Sequence, residues 1–233
     1  ITAATVLAGN FTLYARKKGA GIPLIRPHGE ASIYKPLIKA AFVRRKEKYG
    51  MRWPGAVYDG EAARIKYADE LKKAAVSSGI SLDLKETPIH SPEEADLWIR
   101  QAKESKADGP FVLLLDRQDH AWPTAQKSAQ SGLPSIIYSP LGTSFTTNTI
   151  NLAGKPGCVI YSTDDFSQAL FGLRMIKAGS RMKRTRCVVI QGKERRETTL
   201  TADTGITLQY VPAGTFIDTY NSVPLSDAVI KMA

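Results

Sequence analysis

Strand-like and helix-like patterns of apolar residues alternate along this chain from Leu37 onward. Residues 37–43, LIKAAFV, form an almost unbroken apolar run that predicts a first strand, ended by Arg44 and Arg45. Residues 61–78 repeat Ala62, Ile65, Ala68, Leu71, Ala75 and Val76 at three- and four-residue spacing, which predicts a helix stopped by Gly79. The connection between them, 46–59 with Trp53-Pro54-Gly55, is long, and long connections often carry function. Residues 80–84 alternate as a short strand. Ser91-Pro92-Glu93-Glu94 then sets a serine N-cap, a proline at the first helical position and acids at the positive end of the helix dipole, opening a helix that runs to about Lys106. Residues 111–115, FVLLL, have the continuous apolar character of a central parallel strand buried on both faces. A helix over 122–130, strands over 134–138 and 158–161, a helix over 165–178 and a strand over 186–190 continue the rhythm. The threonine-rich stretch 194–210 predicts a hairpin or edge strand, and 225–233 begins a helix. The alternation predicts an α/β fold: a doubly wound, Rossmann- or flavodoxin-like parallel sheet with helices on both faces, in one domain over 35–233.

Composition changes this picture only at the edges. Residues 1–13, ITAATVLAGNFTL, are small, apolar and uncharged, and Arg16-Lys17-Lys18 follows. They read as the hydrophobic part of a secretory signal without its charged start, so 1–34 is expected to be a signal remnant and extended leader of an exported or periplasmic protein. The other reading is an ordinary first helix or strand in a cytoplasmic one. No membrane span is expected, because no stretch reaches the roughly 18 apolar residues a span needs. The net charge is +10, with basic residues gathered at 16–18, 44–48 and 174–196. A basic surface suggests nucleic acid. RNP aromatics, zinc-finger spacing and a helix-turn-helix signal are all missing, so a solvated or docking face is preferred and no nucleic-acid partner is expected. Cys158 and Cys187 sit in the apolar runs GCVIY and RCVVI without CxxC spacing, and are expected as buried small hydrophobes.

Open α/β sheets bind ligands beyond the carboxyl ends of their strands. That rule selects Arg44-Arg45, the loop 116–120, the loop 139–143, residues 161–164 and Gln191-Gly192-Lys193. The densest is Asp116-Arg117-Gln118-Asp119-His120, where Asp116, Asp119 and His120 offer metal ligands or a carboxylate-oriented proton carrier. The competing role for Asp116 is a turn cap, and for Asp119 or His120 a helix start. Ser139-Pro140-Leu141-Gly142-Thr143-Ser144 has the look of a phosphate loop but lacks the Walker lysine, and neither GxGxxG nor GxSxG occurs. Trp53 and Trp122 flank candidate loops and offer faces for a sugar ring, although packing is the commoner role of such aromatics. His28 and His90 are expected to be structural or solvated rather than catalytic.

The stretches GCVIYSTDDF, FGLRMIKAG, RMKRTRCVVIQG and ERRETT, within 133–218, together with AAFVRR at the first strand, resemble the L-fucose/L-arabinose isomerase-like family. The resemblance lies in the scaffold and includes no catalytic motif. It implies an aldose–ketose isomerase that uses manganese, held by two carboxylates and a histidine of later domains beyond Ala233, with proton transfer through an enediol. This chain would then need no cofactor of its own and be inactive alone. Its partners would be the sugar, further domains of the same protein and other copies in a homo-oligomer, whose sites the domain helps to close. Arg44, Asp119, His120 and Trp122 are the expected sugar contacts. A non-catalytic carbohydrate-binding or sensing domain of the same architecture is the alternative.

Overall fold

The first strand, β1 (Leu37–Val43), sends successive side chains to opposite faces, as a strand must, and both faces are apolar. Ile38, Ala40 and Phe42 join one buried cluster, and Ala41 and Val43 join another. The same division holds along β5 (Gly109–Leu114) and β6 (Ser135–Ser139): Phe111, Leu113, Ile136 and Tyr138 face the first cluster, Val112, Leu114 and Ile137 the second. A sheet buried on both sides needs a helical layer on each, and the computed structural model has both. It describes residues 29–52, 57–117, 120–143, 146–222, 224, 226, 227 and 231. Residues 1–28 of the expected leader, Trp53, Asp119 and most of 225–233 lie outside that set.

A short helix α1 (Glu30–Ile33) precedes β1, and Tyr34 after it is bound into the fold: its hydroxyl donates to Asp108 Oδ2 at 2.7 Å. The expected long connection 46–59 contains a small antiparallel pair, β2 (Gly50–Arg52) with β3 (Val57–Asp59). Helix α2 (Gly60–Ser78) starts where Asp59 Oδ1 accepts the amides of Glu61 and Ala62. It ends at Gly79, whose φ of 62° is the left-handed conformation that glycine adopts without strain. β4 (Ser81–Leu84) follows, then α3 (Pro92–Glu104) with the Ser91 cap that the sequence predicts. After β5 come α4 (Trp122–Ala129), β6, α5 (Thr146–Leu152), β7 (Cys158–Ser162) and α6 (Ser167–Arg184). Helix α5 has no counterpart in the sequence reading. Helix α6 runs six residues past its expected end at 178, because Gly179 continues the helix and Ser180 is buried.

The five strands pair in the order β4-β1-β5-β6-β7, all parallel. Counted along the chain this is 2-1-3-4-5, the flavodoxin-like order of a doubly wound sheet. Helices α2 and α6 cover one face, and α3, α4 and α5 the other. The chain therefore has the expected fold class. Its direction of winding reverses at β1, which leaves a crevice between the carboxyl ends of β1 and β5.

Beyond α6 a second, three-stranded sheet forms: β8 (Arg186–Ile190) parallel to β10 (Thr207–Val211), with β9 (Thr199–Leu200) antiparallel on its other side. A short 3-10 turn (Ala213–Phe216) and α7 (Ile217–Ser222) follow. Gln191, Gly192 and Lys193 thus follow a strand of this second sheet and do not share the first sheet's carboxyl edge. Cys187, expected to be buried, is exposed on β8, while Cys158 is half-buried. Among the described residues no helix is long and apolar enough to cross a membrane.

One stability prediction arises in α2. Ser78 Oγ is buried with no hydrogen-bond partner among the described residues. Ser78→Ala removes an unsatisfied hydroxyl and adds helix propensity, so it should raise unfolding stability by about 1 kcal/mol, where a typical core substitution lowers it. Urea denaturation monitored by circular dichroism tests the sign.

Candidate functional site

Four of the five loops selected by the carboxyl-edge rule lie along the same edge of the main sheet. Arg44 and Arg45 follow β1, Asp116 and Arg117 follow β5, residues 139–143 close β6, and Asp164 follows β7. The switch point falls between the first two.

Asp116 is fully buried and its carboxylate is entirely engaged. Oδ2 accepts Arg45 Nε at 2.7 Å and the Arg45 amide at 3.1 Å; Oδ1 accepts Arg45 Nη2 at 2.9 Å and the Arg117 amide at 2.7 Å. Burial alone would push this carboxyl's pKa up, but the Arg45 fork and the two amides outweigh it and hold the carboxyl below its ordinary value. Asp116 therefore fastens β5 to the loop after β1 rather than presenting oxygens to a metal. Among the described residues no three of His, Cys, Asp and Glu come together to hold a metal ion.

Arg44 has a different setting. Its Nη1 donates to Glu61 Oε2 at 2.9 Å, and Glu61 Oε1 accepts Nε and Nη2 of Arg64 at 2.9 and 2.7 Å. Arg64 leads the effects that lower the Glu61 pKa, against a smaller opposing effect of burial. The Arg44 carbonyl contacts His90 Nδ1 at 2.9 Å, and the His90 amide donates to Glu94 Oε2 at 2.9 Å. His90 thus joins β1's end to the start of α3, the structural one of the two roles expected of it. Arg44, Lys48, Tyr49, Tyr58 and Glu61 line a cavity of about 560 Å3 beyond the carboxyl end of β1, on its side of the switch point.

Three phenols at this edge hold their protons more tightly than ordinary tyrosines. Tyr58, Tyr67 and Tyr138 are all shifted up, first by burial and then by neighbouring groups that include the Asp164 carboxylate; Tyr67 reaches about 12. Tyr67 and Tyr138 meet edge-on with ring centroids 5.4 Å apart, and Phe166 closes the cluster 5.1 Å from Tyr138. These phenols are neutral hydrogen-bonding groups throughout the physiological range.

The loop over 139–143 is braced from within. Ser139 Oγ and Thr143 Oγ1 lie 2.8 Å apart, Thr143 Oγ1 donates to Pro140 O at 2.8 Å, and Arg117 Nε donates to Gly142 O. Amides that a phosphate would need are already used: Thr143 N on Pro140 O, and Leu141 N on Asp164 Oδ1 at 2.9 Å. The loop is a structural corner, in keeping with its missing Walker lysine.

The expected sugar contacts divide accordingly. Arg44 lines the cavity. His120 is exposed, with its amide on Arg117 O at 3.1 Å, on the loop beyond β5. Trp122 is buried in the cluster beneath the opposite helical layer, and its indole N–H donates to Thr143 O at 3.1 Å. Asp119 falls outside the described residues. Sequence reasoning missed Tyr49, Tyr58 and Glu61; the signal available was the long connection 46–59 that carries or borders all three. Comparison with protein-family models finds no match for this chain, and comparison with curated proteins finds none either.

Proposed function

We propose that the chain is a sugar-binding α/β domain, the substrate-closing and oligomerisation domain of a metal-dependent aldose–ketose isomerase acting on L-fucose- or L-arabinose-type sugars. The single observation that carries the sugar reading is the chemistry of the switch-point cavity. Its lining sets two cations, Arg44 and Lys48, beside two carboxylates, Asp59 and Glu61, with Arg44 paired to Glu61 and the neutral phenols of Tyr49 and Tyr58 in the same wall. Each sugar hydroxyl both donates and accepts, so an interleaved set of guanidinium donors, carboxylate acceptors and tyrosines suits a neutral polyol. A phosphate site would call for an excess of cations over carboxylates, and this lining has two of each.

The isomerase context rests on the sequence resemblance. In it, manganese is held by residues of other domains, and no metal-assisted step is derived for the residues of this chain. The alternative, a non-catalytic carbohydrate-binding or sensing domain of an exported protein, draws on the same cavity, whose groups by themselves require binding and no turnover.

Isothermal titration with L-fucose, L-arabinose and a sugar phosphate tests the shared part of the proposal. Neutral sugars should bind, and the phosphate should bind no tighter. A phosphate preference, or no neutral sugar bound at all, overturns the sugar reading. Manganese-dependent conversion of the same aldoses, assayed on this chain and on the complete natural protein, separates the alternatives. Turnover by the complete protein supports the isomerase; sugar binding without turnover in both supports the binding domain.

A further inference from the structure

Tyr49 occupies the position where the fold geometry places a ligand. Its hydroxyl donates to the backbone carbonyl of Leu115, at the carboxyl end of β5 and beside the end of β1. Tyr49 lines the switch-point cavity and Leu115 does not, so the phenol stands between the open space and that carbonyl. Guanidiniums lie over the ring, with Arg45 Cζ 4.7 Å and Arg44 Cζ 5.8 Å from its centroid.

The seat is built for this hydroxyl. Gly60 is buried at the first position of α2, and its φ lies outside the left-handed region, so the backbone there does not demand glycine. What demands it is space: a Cβ at Gly60 would lie 2.8 Å from Tyr49 Cζ and closer still to its oxygen. Tyr58 lines the same cavity as Tyr49, and its Oη is buried with no hydrogen-bond partner among the described residues. An unsatisfied buried hydroxyl carries a cost that a suitable partner relieves. Lys46, Glu47 and Lys48, which precede Tyr49, are exposed, and Tyr49 itself lies outside the strands, with β2 starting at Gly50.

We propose that the Leu115 carbonyl and the Tyr58 hydroxyl form a subsite for a ligand hydroxyl, which the Tyr49 phenol fills as an internal stand-in until a polyol displaces it. The inference rests on the reading of the cavity as a sugar site. A sugar hydroxyl can donate to Leu115 O as the phenol does and also accept from Tyr58, which Tyr49 leaves without a partner. The ligand thus restores one hydrogen bond and adds one.

The test is calorimetric titration of L-fucose and L-arabinose into the wild-type chain, Tyr49→Phe and Gly60→Ala. The first variant removes the competing donor and keeps the ring; the second drives the phenol from its seat. Either should tighten sugar binding by about 2- to 10-fold, the worth of one net hydrogen bond. Tyr58→Phe should weaken it by a similar factor without lowering the melting temperature. Tyr49→Phe keeps the test valid if Gly60→Ala fails to fold. Equal or weaker binding by both Tyr49→Phe and Gly60→Ala, with wild-type binding intact, overturns the stand-in and leaves the sugar reading standing. No binding by any of the four proteins overturns both.

Discussion

Replacing Asp116 by alanine should cost about 3–5 kcal/mol of unfolding stability, a large share of what holds a domain folded. The magnitude follows from what is left behind. The Asp116 carboxylate is completely buried, and it neutralises the Arg45 guanidinium through two parallel hydrogen bonds while also taking the Arg45 and Arg117 amides. Removing it strands a cation and two amide donors at the junction of β1 and β5. The Arg45 side chain keeps 32% of its exposure and can turn partly to water, which favours the lower end of the range. Chemical denaturation gives the value; a loss under 1 kcal/mol would show that the pair contributes only as a surface bridge does.

The same carboxylate fixes a pH dependence. Its folded pKa lies below the value of about 3.9 for an unfolded aspartate, so the folded state binds this proton less readily than the unfolded one. The stabilisation is complete above that unfolded value and disappears as pH falls through the folded one. The gap between wild type and Asp116→Ala should therefore be widest above about pH 4 and narrow as the pH falls further and the wild-type carboxyl loses its charge. Asp59 and Glu61 are shifted in the same direction, but both are exposed and belong to a background shared by the two proteins. A difference that stays constant down to pH 2 would place the stabilisation somewhere other than this ion pair.

Much of the fold was legible because its signals are local. The LIKAAFV and FVLLL runs announce strands covered on both faces, and Ser91-Pro92 and Gly79 announce helix ends through capping chemistry that needs no partner. Strand order was not legible, since nothing in β1 states that β4 and β5 will flank it. The two sheets were not separated either: β8 has the same β-branched composition as the buried strands, and only its pairing with β10 shows that it stands apart. Helix α5, TTNTINL, has threonine and asparagine where a helix signal looks for alanine and leucine. For the site, the carboxyl-edge rule chose the correct side of the sheet. It did not separate Asp116, consumed by Arg45, from groups that face open space. Tyr49 and Tyr58 were hidden because single tyrosines in a loop and in a three-residue strand have no spacing to read.

Trp122→Ala should cost about 3–5 kcal/mol, as truncation of large buried aromatics does. A tryptophan stacked on a sugar would behave otherwise, losing affinity with stability unchanged. The structure places this ring at 4% exposure among Trp98, Ala121, Ala125 and Leu152, beneath the helical layer opposite α2. Trp122→Phe is the more telling substitution because it keeps an aromatic in the core and removes only part of its bulk and the indole N–H. That N–H donates to Thr143 O, and Thr143 is itself fully buried. The carbonyl would be left without its donor, at a cost of about 1–3 kcal/mol. The loss should then reach the edge indirectly. Thr143 braces Ser139, and the same loop receives Arg117 through Gly142, so loosening it frees the residue next to Asp116. Trp122→Phe should accordingly combine a lowered melting temperature with faster amide exchange at Gly142 and Thr143. Full stability with diminished sugar binding would instead return Trp122 to the ligand-stacking role that its place beside the 116–120 loop suggests.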